Sequence, residues 1–163
     1  MEHSAGIILF RKNKDNLTEF LMTSPGGPYW INKQLWCFPK GHIEEYDITV
    51  KNTALREFFE ETSINLKEYK DELIDLGTVK QNKRKFVSIF AYYDKENKYK
   101  ANSMKCAIKT SIEYPKASGK YIDIDEISSY KWMTLNEIES VPHIEIYEKI
   151  YQNILSYMKK DIK

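Results

Sequence analysis

The residues best suited to chemistry in this sequence are three glutamates in one short segment, Glu57, Glu60 and Glu61. On a helix, positions i, i+3 and i+4 share one face, with Cβ atoms about 5–6 Å apart. Three like charges so placed repel one another, and only Arg56 beside them is basic. Mg²⁺ or Mn²⁺, which prefer hard oxygen ligands, would remove this repulsion and bridge the carboxylates to a polyphosphate. The alternative is a solvated acidic helix face, which is common in proteins.

The segment that precedes the acidic helix adds a cation and a glycine. Leu35–Gly41 runs from an apolar stretch into the turn Pro39-Lys40-Gly41. Lys40 would place a positive charge where phosphate oxygens would lie, or it is a solvated turn lysine. Gly41 permits either a close backbone approach or a positive φ.

Hydrophobic patterning predicts the elements that position these residues. The first two predicted strands are close enough to form a hairpin. The predicted strands are Ser4–Arg11, Glu19–Thr23, Gln34–Phe38, Leu76–Val79, Lys85–Tyr93, Cys106–Tyr114 and Tyr130–Met133.

Three segments have features of helices, and a fourth is either a loop or a short helix. Thr49–Thr62 is the clearest, with an apolar face of Val50, Ala54, Leu55, Phe58 and Phe59. Thr134, with Glu137 three residues later, predicts the start of a short helix. Ile144–Met158 has the spacing of an amphipathic helix, and Lys67–Asp75 is predicted as a loop or short helix. We therefore predict a single α/β domain over residues 1–163, with a mixed β-sheet sandwiched between α-helices.

Composition narrows the class of protein. The net charge of +1 gives no overall argument for nucleic acid as a partner, so RNA binding would need a local basic surface such as Lys80–Lys85. No apolar run approaches the ~18 residues of a membrane span, and we expect no membrane partner. Cys37 and Cys106 fit no metal or disulfide pattern, so we expect free thiols. Without a signal-peptide layout at Met1–Ser4, we expect a cytoplasmic protein. The oligomeric state is left open.

The segment from Gly41 to Ile64 resembles the signature of the Nudix hydrolases, G-x5-E-x7-R-E-U-x-E-E-x-G-U, where U is apolar. The part R-E-x-x-E-E is intact from Arg56 to Glu61. Three departures occur. Asp47 stands in the place of a glutamate, eight residues instead of seven separate it from Arg56, and Ser63 stands in the place of a glycine. Such a glycine would cap the helix C-terminus, so we expect Ser63 to cost some stability or to shift the cap.

The resemblance implies a fold, a metal and a set of roles. Glu57, Glu60 and Glu61 would bind Mg²⁺ (or Mn²⁺), with the Gly41 carbonyl as a further ligand. Glu57 or Glu60 would also assist catalysis, and Arg56 would orient a carboxylate. Members of the family often take their general base from a late loop. The candidates for that base are Glu113, Asp125 and Glu126.

Two finer resemblances concern the substrate. Phe38–His42 followed by Thr53–Glu57 is similar to dinucleoside polyphosphate (Ap4A) hydrolases. Lys40 and His42 are candidate phosphate contacts, and the alternative for His42 is a side chain that faces solvent. The loop Gly26–Trp30 and the segment Glu113–Glu126 resemble a bacterial-type Nudix subgroup with a GGPxW loop. Three aromatic residues near these loops are candidates to stack on a base, although they could equally pack against the protein. They are Tyr29, Trp30 and Tyr114.

The preferred function is thus metal-dependent hydrolysis of a phosphate anhydride in a nucleoside diphosphate-linked substrate, most closely Ap4A. One alternative is RNA 5′-end pyrophosphohydrolysis or decapping. A second is a house-cleaning (d)NTP pyrophosphatase, and a third is a nucleotide-sensing Nudix domain without turnover. The third alternative predicts damaged helix glutamates, whereas all three glutamates are present.

Overall fold

The computed structural model describes residues 1–143, 150, 152–154 and 156–157. Its centre is strand β1 (Glu2–Lys12), which pairs antiparallel with β2 (Thr18–Pro25). The first predicted hairpin is therefore confirmed. Seven of the eleven residues of β1 are buried, because both faces of a central strand are covered by other elements.

The remaining elements follow in chain order. β3 (Lys40–His42) precedes helix α1 (Val50–Thr62), and a 3₁₀ helix at Lys67–Glu72 follows it. β4 (Ile74–Asn82) and β5 (Lys85–Tyr93) come next, and a short 3₁₀ turn at Ala101–Ser103 follows. β6 (Lys109–Glu113), β7 (Tyr121–Asp125), β8 (Ile127–Thr134) and helix α2 (Leu135–Glu139) complete the series. A further 3₁₀ turn lies at Pro28–Trp30.

The main sheet is mixed, as predicted. Its strand order is β4-β5-β1-β2-β8, with β1 and β5 parallel and the other neighbours antiparallel, and β3 also pairs with β1. β6 and β7 form a separate two-stranded hairpin. β7 was not predicted, and four of its five residues are exposed.

Side chains alternate across the sheet into two cores. Ile7 and Leu9 pack with Ala54, Leu55 and Phe58 of α1 on one face. On the opposite face, the core contains Ile8 and Phe10 together with Ile138 of α2 and the more distal Ile150 and Ile154. The two distal isoleucines are helical and buried, as the amphipathic pattern predicts. Residues 144–149, 151, 155 and 158 of the predicted Ile144–Met158 helix lie outside the described residues.

The predicted strand Gln34–Phe38 is wrong, and so is the turn predicted at Lys40–Gly41. Cys37 forms an isolated bridge to Thr23 of β2, and Trp36 forms one to His143, instead of a regular strand. The chain then crosses to β1, where Lys40, Gly41 and His42 pair with Gly6, Ala5 and Ser4. β1 and β2 pair only near their hairpin, and residues 36–42 bond first to one strand and then to the other. Because residues 36–42 pair with β2 and then with β1, neither pairing is long.

The apolar face predicted for the first long helix is correct except at its edge. Ala54, Leu55 and Phe58 are buried, but Phe59 is 44% exposed. In its place Glu57 and Glu61 face inward, at 8% and 5% exposure. A buried helix face is predicted from the sequence by hydrophobicity. Because two of the buried positions here are glutamates, the prediction placed Phe59 on the buried face instead. The capping box of Thr134 and Glu137 and the helical turn within Lys67–Asp75 are present as predicted.

Candidate active site

Helix α1 is fixed at both ends by specific hydrogen bonds. At its start, the Thr49 side chain accepts a hydrogen bond from the Asn52 N–H, 3.1 Å away. At its end, Ser63 adopts the left-handed conformation, with φ 66°, and its N–H donates to the Phe59 carbonyl. The Ser63 hydroxyl also donates to the Lys105 carbonyl at 2.7 Å. The serine therefore keeps the cap in its place, and a tertiary hydrogen bond offsets part of its backbone cost.

The last carbonyls of α1 are satisfied by distant parts of the chain. The Glu60 and Thr62 carbonyls accept hydrogen bonds from the N–H groups of Ala107 and Lys105. The Glu61 carbonyl accepts one from the Tyr130 hydroxyl. Since a helix end leaves its last four carbonyls without helical partners, these contacts fix the turn that carries Glu60 and Glu61. These donors were not predicted from the sequence. The end of a helix requires hydrogen-bond donors, but the helix sequence does not identify which distant groups supply them.

The glutamates of α1 lie in a cleft against β3. The Glu57 carboxylate packs directly on Gly41, where an added Cβ would lie 2.1 to 2.3 Å from its three carboxyl atoms. Gly41 is thus required for a close approach and not for a positive φ. The two buried glutamates show that this acidic face is not a solvated one.

Arg56 ties the acidic cluster to the preceding loop. Its Nη1 lies 3.0 Å from Glu57 Oε1 and 3.1 Å from Glu60 Oε2. Its Nε and Nη2 donate to both oxygens of Asp47, and Nη2 also donates to the His42 carbonyl. Such two-pronged pairing is strong and orients both groups. Asp47 is therefore the carboxylate in the preceding loop that holds Arg56.

Burial dominates the electrostatics of the cluster. Desolvation raises the pKa of Glu57 to about 7, although the nearby Arg56 opposes the shift. Desolvation also raises the pKa of Glu61 well above its usual range. The charges of Glu57 and Glu126 add to that shift, while the Lys40 side chain and N–H oppose it. Asp47 behaves oppositely, because its hydrogen bonds to Arg56 lower its pKa to about 2.

Of the three carboxylates predicted as general bases, Glu126 is the one that the structure couples to the cluster. Desolvation and the charge of Glu60 raise the pKa of Glu126. Glu113 instead accepts hydrogen bonds from the N–H groups of Ala117 and Gly119 in its own hairpin loop. Asp125 pairs with Lys109 at 3.4 Å. The sequence does not distinguish the roles of these three acids. Their hydrogen-bond and charge partners in the structure distinguish them.

The two loops predicted to choose the substrate lie together. The Gly26 N–H donates to the Glu126 carbonyl, and an added Cβ on Gly26 would lie 2.1 Å from the Asp125 carbonyl oxygen. Tyr29 contacts Tyr114 edge to face at a centroid distance of 5.6 Å. The Tyr29 hydroxyl also donates to the Glu113 carbonyl. These loops thus form one surface next to Glu126.

Three further predicted contact residues are placed as follows. Trp30 and the two tyrosines of this surface are 39% to 45% exposed, so their rings remain accessible. Lys40 is half-buried in β3, and its N–H and charge act on Glu61. The His42 side chain is exposed, and its carbonyl is the acceptor for Arg56.

The donor set fits a hard divalent cation. Glu57, Glu60 and Glu61 supply carboxylate oxygens from one helix face, and Gly41 brings backbone against Glu57. Buried carboxylates that raise one another's pKa carry a repulsion that a cation would remove. Among the described residues, no group of three acidic, His or Cys side chains already has metal-binding geometry. One carboxylate oxygen of Glu57 and one of Glu60 accept hydrogen bonds from Arg56.

Two other predictions concern the cysteines and the absence of a membrane span. Cys37 and Cys106 form no disulfide within the described residues. No helix in the described part of the chain is long and apolar enough to cross a membrane.

Comparison with known proteins gives a consistent result. The family model of the NUDIX domain matches residues 2–154. No curated protein matches the chain in sequence. Among solved structures, the NUDIX domain of Shewanella oneidensis NrtR, complexed with ADP ribose, is similar with a TM-score of 0.66 and 18% identity. That match covers 96% of this chain and 88% of the other.

Two further solved structures share the fold at low identity. The C. elegans Ap4A hydrolase has a TM-score of 0.62 and 17% identity over 98% of this chain and 99% of its own. The Nudix hydrolase RenU of M. smegmatis has a TM-score of 0.53 and 12% identity over 98% and 86%. At such identities the likeness concerns the fold alone, and the substrates of these proteins do not transfer with it.

Proposed function

The chain belongs to the Nudix family and is a hydrolase of nucleoside diphosphate-linked compounds; from that premise, we propose that it uses Mg²⁺ to hydrolyse a dinucleoside polyphosphate of the Ap4A type. The observation that carries the proposal is the buried cluster of Glu57 and Glu61 with Glu60 beside them, held by Arg56. The sequence Pro39-Lys40-Gly41-His42 before this cluster favours Ap4A among the family's substrates.

The proposed mechanism assigns each group a task. Glu57, Glu60, Glu61 and the Gly41 carbonyl would hold Mg²⁺. When bound, the ion neutralises charge on the anhydride oxygens and on the leaving phosphate. Arg56 keeps Glu57 and Glu60 on one side of the cleft, with Asp47 as its anchor.

Glu126 is the proposed general base. Water attacks a phosphorus of the anhydride, the bridging P–O bond breaks, and Glu126 takes the proton of the attacking water. Its raised pKa suits this role, because a base is most effective when its pKa lies closer to the working pH. Glu60, which shifts the pKa of Glu126, is the other candidate for handling the water.

Lys40 is proposed to contact the phosphates, with His42 at the rim of the cleft. Tyr29, Trp30 and Tyr114 are proposed to stack on a base, at about 1–3 kcal/mol for each stacked base. Their exposed rings lie on the surface built by Gly26 and Glu126, and that arrangement supports the assignment.

The test is a substrate panel with products identified by mass. Ap4A, ADP-ribose, dNTPs and capped RNA are each incubated with and without Mg²⁺ or Mn²⁺, in ¹⁸O water to locate the attacked phosphorus. We expect the highest kcat/KM for Ap4A. Preferred cleavage of capped RNA or of dNTPs would replace the Ap4A assignment with one of those alternatives. Binding without cleavage of any substrate would favour a nucleotide-sensing domain.

Matched variants test the site itself. Glu60→Gln and Glu61→Gln should each lower kcat by roughly a hundredfold or more, as expected when a metal ligand or base is lost. The control is Glu139→Gln, an exposed glutamate on α2, which should leave turnover unchanged. A large fall in melting temperature with intact specific activity of the folded fraction would contradict the assignment of Glu60 and Glu61.

A further inference from the structure

A second cavity, of about 580 Å³, lies at the end of β5 and shares no residue with the proposed active site. Leu9 of β1 pairs with Tyr92 beside this cavity, whereas Ala5 of β1 pairs with Gly41 in the active site. The four-residue offset along β1 corresponds to about 13 Å. The cavity is therefore a separate place on the molecule.

Tyrosines dominate the wall of this cavity. The described residues that line it include Tyr69, Tyr92, Tyr93, Tyr99 and Tyr157. Tyr69 and Tyr92 stack with their centroids 5.5 Å apart. Tyr69, Tyr92 and Tyr99 pack against the core on the α1 side of the sheet, whereas Tyr93 and Tyr157 pack against the opposite core. The first three rings therefore lie on the same side of the sheet, and the negative face of an aromatic π system attracts cations.

A cation of the protein already sits on these rings. The Lys98 ammonium lies 5.7 Å from the ring centroid of Tyr69 and 5.5 Å from that of Tyr99. Lys95 lies 5.9 Å from the ring centroid of Tyr93. Both lysines are exposed, so their side chains have room to move away. They show which kind of charge the rings accept.

The rest of the wall favours the same sign of charge. Four carboxylates outnumber the two lysines, so the net lining charge disfavours a phosphate or other anion. These acids are Asp71, Glu72, Asp94 and Glu96. The cavity is suited to a positively charged ligand.

The backbone around Tyr99 is held before any ligand arrives. The buried Asp94 carboxylate accepts hydrogen bonds from the N–H groups of Lys98 and Tyr99. The Tyr99 carbonyl accepts one from Trp132 Nε1 at 3.2 Å. A wall fixed in this way costs less ordering entropy on binding.

We propose that this cavity binds an alkylated ammonium group, which replaces the Lys98 ammonium over Tyr69 and Tyr99. A primary ammonium is strongly hydrated and loses that water when it enters an aromatic cage. A quaternary ammonium group spreads its charge over methyl groups and has less hydration to lose, so it is the better ligand for several rings.

Choline is the probe, and 3,3-dimethylbutan-1-ol is its neutral counterpart of nearly equal shape. Each is titrated into the intact protein while its methyl ¹H resonance is followed by NMR. We expect an upfield ring-current shift for choline that saturates, and at least roughly tenfold weaker binding of the neutral alcohol. Equal binding of both would make this an apolar cavity and overturn the proposal. Absence of any saturable choline shift would also overturn it.

Variants test which rings and which lysine are involved. Tyr69→Leu should weaken choline binding roughly tenfold, whereas Tyr69→Phe, which keeps the ring, should bind like the original protein. Lys98→Ala should tighten binding, because it removes the competing cation. Lys100→Ala, an exposed lysine outside the cavity, is its control. If Lys98→Ala binds choline no better than Lys100→Ala does, the proposed replacement of Lys98 is wrong.

Discussion

Replacing Asp47 with asparagine tests the contact that anchors Arg56 beside the glutamates of α1. The Asp47 carboxylate accepts hydrogen bonds from Arg56 Nε at 3.0 Å and Nη2 at 2.9 Å. It also accepts from the Thr53 hydroxyl at 2.8 Å and the Glu44 N–H at 2.9 Å. Asparagine keeps the shape of the side chain but removes its charge and one acceptor oxygen.

The size of the effect follows from the pKa of Asp47. The hydrogen bonds to Arg56 lower this pKa from 3.8 to about 2. Such a shift corresponds to about 2 kcal/mol of stability for the ionised form. The side chain is only 4% exposed, so solvent screening removes little of this contribution. We expect Asp47→Asn to lower the free energy of unfolding at pH 7 by about 2 kcal/mol.

The pH dependence gives the sharper test. A carboxylate whose pKa is lowered by folding contributes its full stability above the unfolded pKa of 3.8, and loses it as the pH falls towards 2. The difference between the two proteins should therefore shrink to about 1 kcal/mol at pH 3. Urea unfolding of the metal-free protein, followed by tryptophan fluorescence at pH 7, 4 and 3, measures it.

The control for this experiment is Asp15→Asn in the exposed turn between β1 and β2. It should change the free energy of unfolding by less than about 0.5 kcal/mol at every pH. An equal loss for Asp47→Asn at pH 3 and pH 7 would refute the reasoning, because the charge would then not be responsible. A loss below about 0.5 kcal/mol at pH 7 would refute it as well.

The other predictions concern α1 and the strand that faces it. Gly41→Ala should leave the fold intact but weaken Mg²⁺ binding and lower kcat, because the new Cβ displaces the Glu57 carboxylate; a Mg²⁺ titration of activity measures both. Ser63→Ala should lower the free energy of unfolding by about 1 kcal/mol in urea melts, since it loses the hydrogen bond to Lys105 and keeps the left-handed backbone. Ser63→Gly should be nearly neutral in the same assay, because relief of the backbone offsets that loss. The pKa of Glu57, raised to about 7, means that the metal-free protein loses stability as the pH rises from 4.5 to 7; thermal melts should show this loss, and saturating Mg²⁺ should reduce it.

The local sequence was enough to predict most of the elements and the type of chemistry. The limits of α1 follow from Thr49 and from the apolar spacing of Ala54, Leu55 and Phe58, which is information held within one helix. The same spacing places Glu57, Glu60 and Glu61 together. The family comparison confirms the mixed sheet and the Nudix family that these patterns indicated.

Contacts between distant segments were beyond the sequence. Nothing in the residues Gln34–Phe38 reveals that they fill the gap between two diverging strands, so a strand was predicted where only isolated bridges form. The inward orientation of Glu57 depends on Gly41, which approaches from another strand. Glu113, Asp125 and Glu126 look alike in the sequence, and their hydrogen-bond and charge partners alone distinguish them.

The three glutamates of α1 show the division most clearly. Their type and spacing indicated either a cation site or a solvated acidic face, because like charges on one helix face repel. Only the tertiary structure decided that two of them are buried, that Arg56 bridges Glu57 and Glu60, and that Glu126 faces them. Periodicity is a property of one segment, whereas burial and pKa depend on what the rest of the chain brings against it.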